Sequence, residues 1–354
     1  MSLYSNKHYL EDVHSVVVLN LPWIKLQNKS ILISGATGMI GSFLVDVLME
    51  KNISENLNCT VYALGRNEGK LKLRFSKYAD DARLVFVQYN IQEPLACSYL
   101  GNVDYVLHLA SNTHPLLYST DPIGTILTNM MGVKNMLDFS VKHHATRFAF
   151  ASSNEMYGEN RGDVDLFTED YCGYINCNTL RAGYPESKRC GEALCQAYKA
   201  QKGLDIVIPR LTRTFGPTMS MSDTKAASQF IKKGVAGEDI VLKSKGTQFF
   251  SYTYVADAVS GLLTVLLCGE NGEAYNIADE SGDIMLKDFA AITADVCGKK
   301  VVFDIPDEVE SAGYSKATKA RLDGSKLRAL GWKPMYGIRT GIERTINILK
   351  SIEC

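Results

Sequence analysis

Short apolar runs alternate with helical segments from residue 30 onward, and this alternation restricts the possible folds more than any other feature of the chain. The intervening stretches Met39–Lys51, Gly124–His143 and Arg181–Gln201 have the apolar spacing of helices. Strands that alternate with helices form parallel sheets, which helices cover on both faces. The sequence therefore predicts an α/β fold with a doubly wound parallel sheet. The apolar runs are Ser30–Ser34, Thr60–Leu64, Leu84–Gln88, Val103–Leu109, Arg147–Ala151 and Asp205–Pro209.

A glycine-rich turn, Gly35-Ala36-Thr37-Gly38-Met39-Ile40-Gly41, joins the first run to the first helical stretch. In this spacing the first glycine permits a tight turn, the second lets the backbone approach a pyrophosphate, and the third lets the helix pack close to the strand. Backbone N–H groups and the positive end of the helix hold the phosphate charge. We therefore predict a Rossmann-type dinucleotide site. Its residues in this turn are Gly35, Thr37, Gly38, Met39, Ile40 and Gly41.

The end of the second apolar run bears on which dinucleotide the site takes. An acidic residue at this point binds the ribose hydroxyls of NAD, but here Gly65 and Arg66 follow Leu64. NAD is the predicted cofactor. Because an arginine can accommodate a 2′-phosphate, NADP is an alternative. Stacking on the adenine or exposure to solvent would also explain Arg66. Asn90 and Ile91 follow the third run, where such folds flank the adenine ring.

Composition limits the partners. The net charge of −1 gives no general attraction to nucleic acid or to anionic membranes. No apolar run approaches the ~18–20 residues that a membrane-spanning helix needs, and the acidic residues before Val16–Leu21 argue against a signal peptide. The nine cysteines are scattered without metal-ligand spacing, which predicts reduced thiols, no metal site and a cytoplasmic location.

The alternating rhythm stops after Gly216–Pro217. We therefore divide the chain into an N-terminal extension over 1–28, a dinucleotide-binding Rossmann domain over 29–216 and a C-terminal region over 217–354. The C-terminal region is predicted to be mainly a smaller α/β lid that binds substrate, with segments that return to the main domain.

Tyr184 and Lys188 stand four residues apart in Tyr184-Pro185-Glu186-Ser187-Lys188, so a helix would place them on one face. A free phenol has a pKa of about 10 and is a poor base at neutral pH. A neighbouring ammonium group and an oxidised nicotinamide both favour the phenolate. The position of this pair downstream of the glycine-rich turn therefore predicts a catalytic tyrosine.

Five segments together resemble the extended short-chain dehydrogenase/reductase family, which includes NAD-dependent epimerases and dehydratases. Within that family the chain looks most like UDP-glucuronic acid decarboxylases. The resemblance implies a nucleotide-sugar substrate, a 4-keto sugar intermediate and a nicotinamide that stays bound. The segments are Gly35–Gly41, His108–Ser111, Ser152–Gly158, Tyr184–Lys188 and Arg210–Pro217.

The resemblance also implies individual roles. Tyr184, assisted by Lys188, takes the proton of the sugar C4 hydroxyl, and Ser153 helps to hold the C4 oxygen. Glu155 matches the glutamate of the decarboxylases, where a carboxylate acts as a base or orients the departing carboxyl group. Asn129 matches a position that supports the tyrosine–lysine relay. The implied cofactor contacts also include Leu109, Ala110, Ser111, Asn129, Tyr184 and Lys188.

The sequence departs from the patterns of related enzymes in several ways. Ordinary 4-epimerases usually lack a glutamate at the position of Glu155, which disfavours plain epimerisation. Asn154 stands where the related 4,6-dehydratases have an aspartic acid that expels the C6 hydroxide, which disfavours dehydration. Phe250 replaces an arginine that normally meets the phosphate or the acidic group of the substrate, and Arg213 replaces an asparagine. We hypothesise that Asn154 and Arg213 contact the substrate and that Arg213 supplies the missing cation. His114, after the fourth strand, could also face the pocket.

Several functions remain open at this point. A redox-neutral decarboxylase is the leading prediction, with a 4-epimerase, a 4,6-dehydratase or an NADPH-dependent keto-sugar reductase as alternatives. A non-catalytic dinucleotide-binding protein is disfavoured because Ser153, Tyr184 and Lys188 are all present. Members of this family pair two long helices from each subunit, so Gly124–His143 and Arg181–Gln201 predict a homodimer.

Overall fold

The computed structural model describes residues 2–96, 100–113, 115–305 and 318–353. The strands are β1 Ser30–Ser34, β2 Thr60–Gly65, β3 Leu84–Gln88, β4 Tyr105–His108, β5 Arg147–Phe150, β6 Ser152–Ser153, β7 Ile206–Leu211, β8 Arg213–Phe215, β9 Ile240–Leu242, β10 Phe249–Tyr254, β11 Ala274–Ile277, β12 Asp283–Met285, β13 Val301–Phe303 and β14 Lys319–Ala320. The helices are α1 Lys7–Val17, α2 Met39–Glu55, α3 Glu68–Arg74, α4 Pro115–Thr120, α5 Pro122–Lys142, α6 Gly183–Lys202, α7 Ala226–Val235, α8 Val255–Cys268, α9 Leu286–Cys297, α10 Ser325–Ala329 and α11 Ile338–Glu353.

The main sheet is parallel throughout, in the order β3-β2-β1-β4-β5-β7-β11, with β6 also beside β7. The chain starts in the middle with β1, builds outward through β2 and β3, and then returns to place β4 on the other side of β1. This order confirms the predicted doubly wound sheet. It also opens a crevice at the carboxyl ends of β1 and β4, where the winding direction reverses.

Successive side chains of β1 serve opposite faces of the sheet. Ile31 and Ile33 belong to the apolar core that also contains Phe43 of α2 and Leu262 of α8. Leu32 points to the other core, with Val133 of α5. All of these residues are almost fully buried. A strand that is covered on both faces buries the side chains on both sides, which is why the three central residues of β1 are all apolar and do not alternate.

The C-terminal segments divide between two places. Strand β11 extends the main sheet beside β7, and α8 packs against α2. Strands β8, β10, β12 and β14 form a smaller mixed sheet, and β9 pairs with β13.

The N-terminal helix α1 packs against α2 and α8. Tyr9 is fully buried, and its hydroxyl donates to the buried Asp46 of α2, which also accepts from Tyr4 and Arg74. The first residues are therefore tied to the main sheet. In the described part of the chain no helix is long and apolar enough to span a membrane.

Candidate active site

One cleft of about 2250 Å³ runs along the carboxyl ends of the parallel strands and continues between the two sheets. Sites for a single small ligand enclose roughly 300–1,000 Å³, so this cleft has room for two large ligands. It is lined by almost every residue that the sequence nominated. These are Gly35, Thr37, Gly38, Met39, Ile40, Gly41, Arg66, Asn90, Ile91, Leu109, Ala110, Ser111, Ser153, Asn154, Glu155, Tyr184, Lys188 and Arg213.

The glycine-rich turn has the geometry that a dinucleotide requires. Gly35 has a φ of 73°, and a Cβ at this residue would lie 2.8 Å from the backbone nitrogen of Ala110. A Cβ on Gly41 would lie 2.3 Å from the carbonyl oxygen of Gly35. Only glycine fits at both positions, so the first turn of α2 sits tightly against β1. The residues present therefore fit a pyrophosphate at the amino end of α2.

The strand next to this turn is anchored by a neutral histidine. The Nδ1 atom of His108 lies 2.8 Å from the hydroxyl oxygen of Ser34, which accepts the backbone N–H of Ala110 at 3.2 Å. Burial, followed by the charge of Lys188, lowers the pKa of His108 to about 3. This histidine therefore holds β1 and β4 together as a neutral hydrogen-bonding group.

Arg66, Asn90 and Ile91 lie at the far end of the cleft from β5. Arg66 and Asn90 are exposed, and Asn90 donates to the Glu93 carboxylate at 3.1 Å. The carbonyl of Ile91 accepts from Asn135 of α5 at 2.9 Å, which fixes the loop after β3.

Tyr184 lies in the first turn of α6, at the centre of the cleft, and is almost fully buried. Its ring stacks on the ring of Tyr118 with 5.0 Å between the centroids. Burial and then the nearby Glu155 carboxylate raise the pKa of its phenol, while hydrogen bonds with the hydroxyls of Ser153 and Ser111 lower it. The phenol therefore gives up its proton less readily than a free tyrosine does, and a positive charge placed close to it would favour the phenolate.

Lys188 stands one helical turn after Tyr184, and its ammonium group donates to the carbonyl of Ala151 at 2.7 Å. Burial lowers the pKa of Lys188 to about 8, and the carboxylate of Glu192 opposes this shift. Glu192 is itself paired with the guanidinium of Arg210, at 2.7 Å and 3.0 Å. Lys188 thus remains a cation at neutral pH, 5.8 Å from the centre of the Tyr184 ring.

Asn129 is buried on α5, behind the cleft wall and not among the cleft-lining residues. Its oxygen accepts the Ser111 hydroxyl at 2.9 Å and the Asn112 N–H at 3.1 Å. Its nitrogen donates to the hydroxyl of Ser187, the neighbour of Lys188, at 2.9 Å. Asn129 therefore bridges the loop after β4 and helix α6, next to Lys188.

Glu155 and Arg181 form an ion pair of 3.1 Å close to Tyr184. The guanidinium of Arg181 also lies 4.9 Å from the centre of the Tyr118 ring. Its Nη1 atom is buried and has no hydrogen-bond partner among the residues that the structure describes. Asn154, next to Glu155, is buried in the same wall. An acid and a partly unsatisfied cation thus line the cleft near Tyr184.

Arg213 and Phe250, two of the positions that depart from the family pattern, are in contact. They lie on the neighbouring strands β8 and β10, where Arg213 is in register with Tyr252. The guanidinium carbon of Arg213 lies 3.6 Å from the centre of the Phe250 ring. Burial lowers the pKa of Arg213, and its Nη1 atom is buried with no partner in the described chain. A cation on β8 thus lies directly against the position that Phe250 occupies on β10.

Sequence reasoning missed some of the site. Arg181 and Tyr118 were not nominated, although the spacing of Arg181, Tyr184 and Lys188 matches one face of a helix. The N-terminal Ser2 and Tyr4 also line the cleft, which no local pattern indicates. His114 lies outside the described residues.

Comparison with known proteins agrees with this geometry. The chain is 32% identical over 319 residues to UDP-glucuronic acid decarboxylase 5 of Arabidopsis thaliana, covering 89% of this chain and 87% of that protein. It is 31% identical to UDP-glucuronic acid decarboxylase 1 of Danio rerio, covering 90% and 72%. The predicted resemblance to UDP-glucuronic acid decarboxylases is therefore confirmed.

Solved structures share the fold. A UDP-glucuronic acid 4-epimerase from Bacillus cereus, in complex with UDP-glucuronic acid and NAD, superposes with a TM-score of 0.77 at 23% identity, covering 91% of this chain and 99% of that one. The dTDP-glucose 4,6-dehydratase DesIV of Streptomyces venezuelae gives a TM-score of 0.77 at 24% identity, covering 91% and 97%. Residues 31–278 match the NAD dependent epimerase/dehydratase family. This chain belongs to that NAD-dependent enzyme family.

Proposed function

We propose that this protein decarboxylates a nucleotide-linked uronic acid, with UDP-glucuronate as the first candidate, through a 4-keto sugar and without net consumption of its nicotinamide cofactor. The proposal rests on two groups of residues that line the same cleft. Ser153, Tyr184 and Lys188 supply the means to oxidise a sugar hydroxyl. Arg181 and Arg213 supply buried, unsatisfied donors for an acidic group.

The cofactor would rest on the turn between β1 and α2, with its nicotinamide toward Tyr184. When bound, a nicotinamide accepts the hydride from C4 of the sugar and later returns it. The chain's own contribution is to hold the pyrophosphate by backbone N–H groups around Gly35–Gly41 and to exclude water from the reacting carbon.

Tyr184 is the proposed base for the C4 hydroxyl, and Ser153 is its hydrogen-bonding partner at the same oxygen. The ammonium of Lys188 favours the phenolate, and the positive charge of an oxidised nicotinamide adds to this effect. Proton transfer by a positioned side chain contributes roughly 10²–10⁴-fold to a rate. The buried position of Tyr184 strengthens both electrostatic effects, because the local dielectric constant is low.

The 4-keto sugar makes the carboxyl group at C5 easy to lose. The bond between C5 and the carboxyl carbon breaks, its electron pair moves toward the C4 carbonyl, and C5 afterwards accepts a proton. Arg181 and Arg213 would hold the carboxylate before the bond breaks, since guanidinium groups bind carboxylates in two-point geometry. Glu155 is then positioned to orient Arg181 and to carry a proton.

The first experiment is incubation of the purified protein with UDP-glucuronate, followed by mass spectrometry of the nucleotide sugar. Loss of carbon dioxide with no net change in reduced nicotinamide supports the proposal, and the Tyr184→Phe variant should slow this loss about 10²–10⁴-fold. A product of unchanged mass would instead identify an epimerase, and loss of water a dehydratase. Oxidation of NADPH by a keto sugar would identify a reductase. Any of these three results would overturn decarboxylation.

The role of Arg213 is tested by exchanging the two substituted side chains. Arg213→Asn should weaken substrate binding about tenfold or more, because a buried charged hydrogen bond contributes about 1.5–3 kcal/mol. Phe250→Arg added to Arg213→Asn should restore part of that affinity by returning the cation to β10. Unchanged affinity in Arg213→Asn would remove Arg213 from the substrate site.

We also propose that the protein is a cytoplasmic homodimer. Helices α5 and α6 pack side by side, and the outer side of α5 exposes Ile123, Leu127 and Met131 at four-residue spacing. An apolar stripe of this kind is typical of a helix that pairs with another subunit. Light scattering should give twice the mass of the chain, and Leu127→Lys should give the monomer.

A further inference from the structure

The end of the cleft beyond the glycine-rich turn is positively charged. Arg66 directly follows the last residue of β2, and Lys70 and Arg74 lie on the helix α3 that comes next. All three residues line the cleft beside Gly38–Gly41. Arg66 and Lys70 are exposed, and neither forms an ion pair with a residue that the structure describes. Two cations are therefore available to a ligand at this point.

The acids of this neighbourhood are already engaged. Asp46 pairs with Arg74 at 2.6 Å and is buried. Glu68 pairs with Lys72 at 2.7 Å. Thus Arg74 is neutralised by its partner, whereas Arg66 and Lys70 keep their full charge.

No carboxylate replaces the one that binds the ribose of NAD. Among the described residues that line the cleft, the acids all belong to segments other than β2 and α3. They are Asp121, Glu155, Asp223 and Asp304. Asp121 accepts the N–H of Gly124 in the first turn of α5, and Asp223 accepts the hydroxyl of Ser228. The adenosine end therefore lacks an acceptor for the 2′- and 3′-hydroxyls at the usual position.

The chain is crowded where the acid would stand. A Cβ at Gly65 would lie 3.2 Å from the side chain of Leu71, which would have to shift slightly to make room for a larger residue. The side-chain oxygen of Asn67 is also occupied, since it accepts the N–H of Lys70 at 2.9 Å. Gln88 donates to the carbonyl of Arg66 at 3.3 Å.

From this charge distribution we propose that the cleft binds a 2′-phosphorylated dinucleotide, NADP, in preference to NAD. Arg66 is the main partner of the 2′-phosphate, because its planar guanidinium matches phosphate oxygens in two-point geometry. Lys70 adds a second charge. The inference depends on the proposed dinucleotide site but not on the proposed sugar reaction.

The test is direct binding of NADPH and NADH to the full-length protein after removal of any bound nucleotide, without a sugar substrate. We expect NADPH to bind at least tenfold more tightly, with a difference that shrinks as salt is raised, because the phosphate contacts are exposed. Mass spectrometry of the nucleotide that leaves the freshly purified protein should show NADP.

Three variants test which side chains produce the preference for NADPH. Arg66→Asp should reverse the preference, and Lys70→Ala should weaken NADPH while leaving NADH unchanged. Lys72→Ala, an exposed cation on the same helix that is paired with Glu68, is the matched control and should change neither affinity. Circular dichroism should show that all three variants remain folded.

NADH binding as tightly as NADPH, or more tightly, would overturn the preference and leave the proposed function intact. An equal loss of both affinities in Arg66→Asp would also contradict a specific phosphate contact. Failure of the wild-type protein to bind either nucleotide would overturn both this inference and the proposed function.

Discussion

Replacing Glu192 by glutamine should destabilise the protein strongly while preserving the size of the side chain. Glu192 and Arg210 form a two-point pair, with distances of 2.7 Å and 3.0 Å, and their side chains are 11% and 8% exposed. Removing one partner of a buried ion pair lowers the free energy of unfolding by about 3–5 kcal/mol. Glutamine keeps one acceptor but turns an N–H group toward the guanidinium. We therefore expect a loss of about 3 kcal/mol.

The assay is urea unfolding followed by circular dichroism, with Glu68→Gln as the matched control. Glu68 pairs with Lys72 at a similar distance, 2.7 Å, but these side chains are 46% and 62% exposed. An exposed pair of this kind contributes about 0.5 kcal/mol or less. If Glu192→Gln costs no more than Glu68→Gln, the argument from burial is refuted.

The same substitution should change the pH dependence of the reaction. Burial lowers the pKa of Lys188 to about 8, and Glu192 opposes this shift. Without the carboxylate the pKa of Lys188 falls further, so the cation that favours the Tyr184 phenolate is lost at lower pH. The alkaline limb of the rate profile should therefore move toward neutral pH. If the alkaline limb does not move, Glu192 does not affect the pKa of Lys188.

Three further predictions concern other parts of the molecule. Gly41→Ala should weaken dinucleotide binding in a titration, because the new Cβ would lie 2.3 Å from the carbonyl oxygen of Gly35. Overpacking of this kind costs about 1–3 kcal/mol. Unchanged binding would contradict the tight turn. Tyr184→Phe should lower the rate about 10²–10⁴-fold with unchanged dinucleotide affinity, measured by single turnover and fluorescence titration, and a milder loss would point to another base. Burial raises the pKa of Asp257 to about 7, above its unfolded value. This group therefore stabilises the fold below about pH 4. Its contribution to the free energy of unfolding is lost as pH rises toward 7, by at most about 1.4 kcal/mol per pH unit. Asp257→Asn should therefore gain stability relative to the wild type as pH rises over this range, and a constant difference in urea unfolding would refute the assignment.

The sequence was sufficient to predict a feature wherever all of its residues lie in one turn, one helix or one strand. The glycines at 35, 38 and 41 act through backbone geometry within a single turn, so their spacing alone predicts the dinucleotide site. Tyr184 and Lys188 share one helix, and their separation alone places them on one face. The apolar runs predict a parallel sheet because strands buried on both faces cannot alternate. The family comparisons confirm the nicotinamide-dependent enzyme that these patterns indicated.

Contacts between distant segments were decided only by the tertiary structure. The stacking of Arg213 on Phe250 depends on the pairing of β8 with β10, and neither strand contains information about its partner. The bridge made by Asn129, the ion pair of Glu155 with Arg181, and the cleft wall formed by Tyr4 likewise join residues far apart in the chain. Periodicity records which face of an element is buried, but the partner of that face depends on how all the elements pack together.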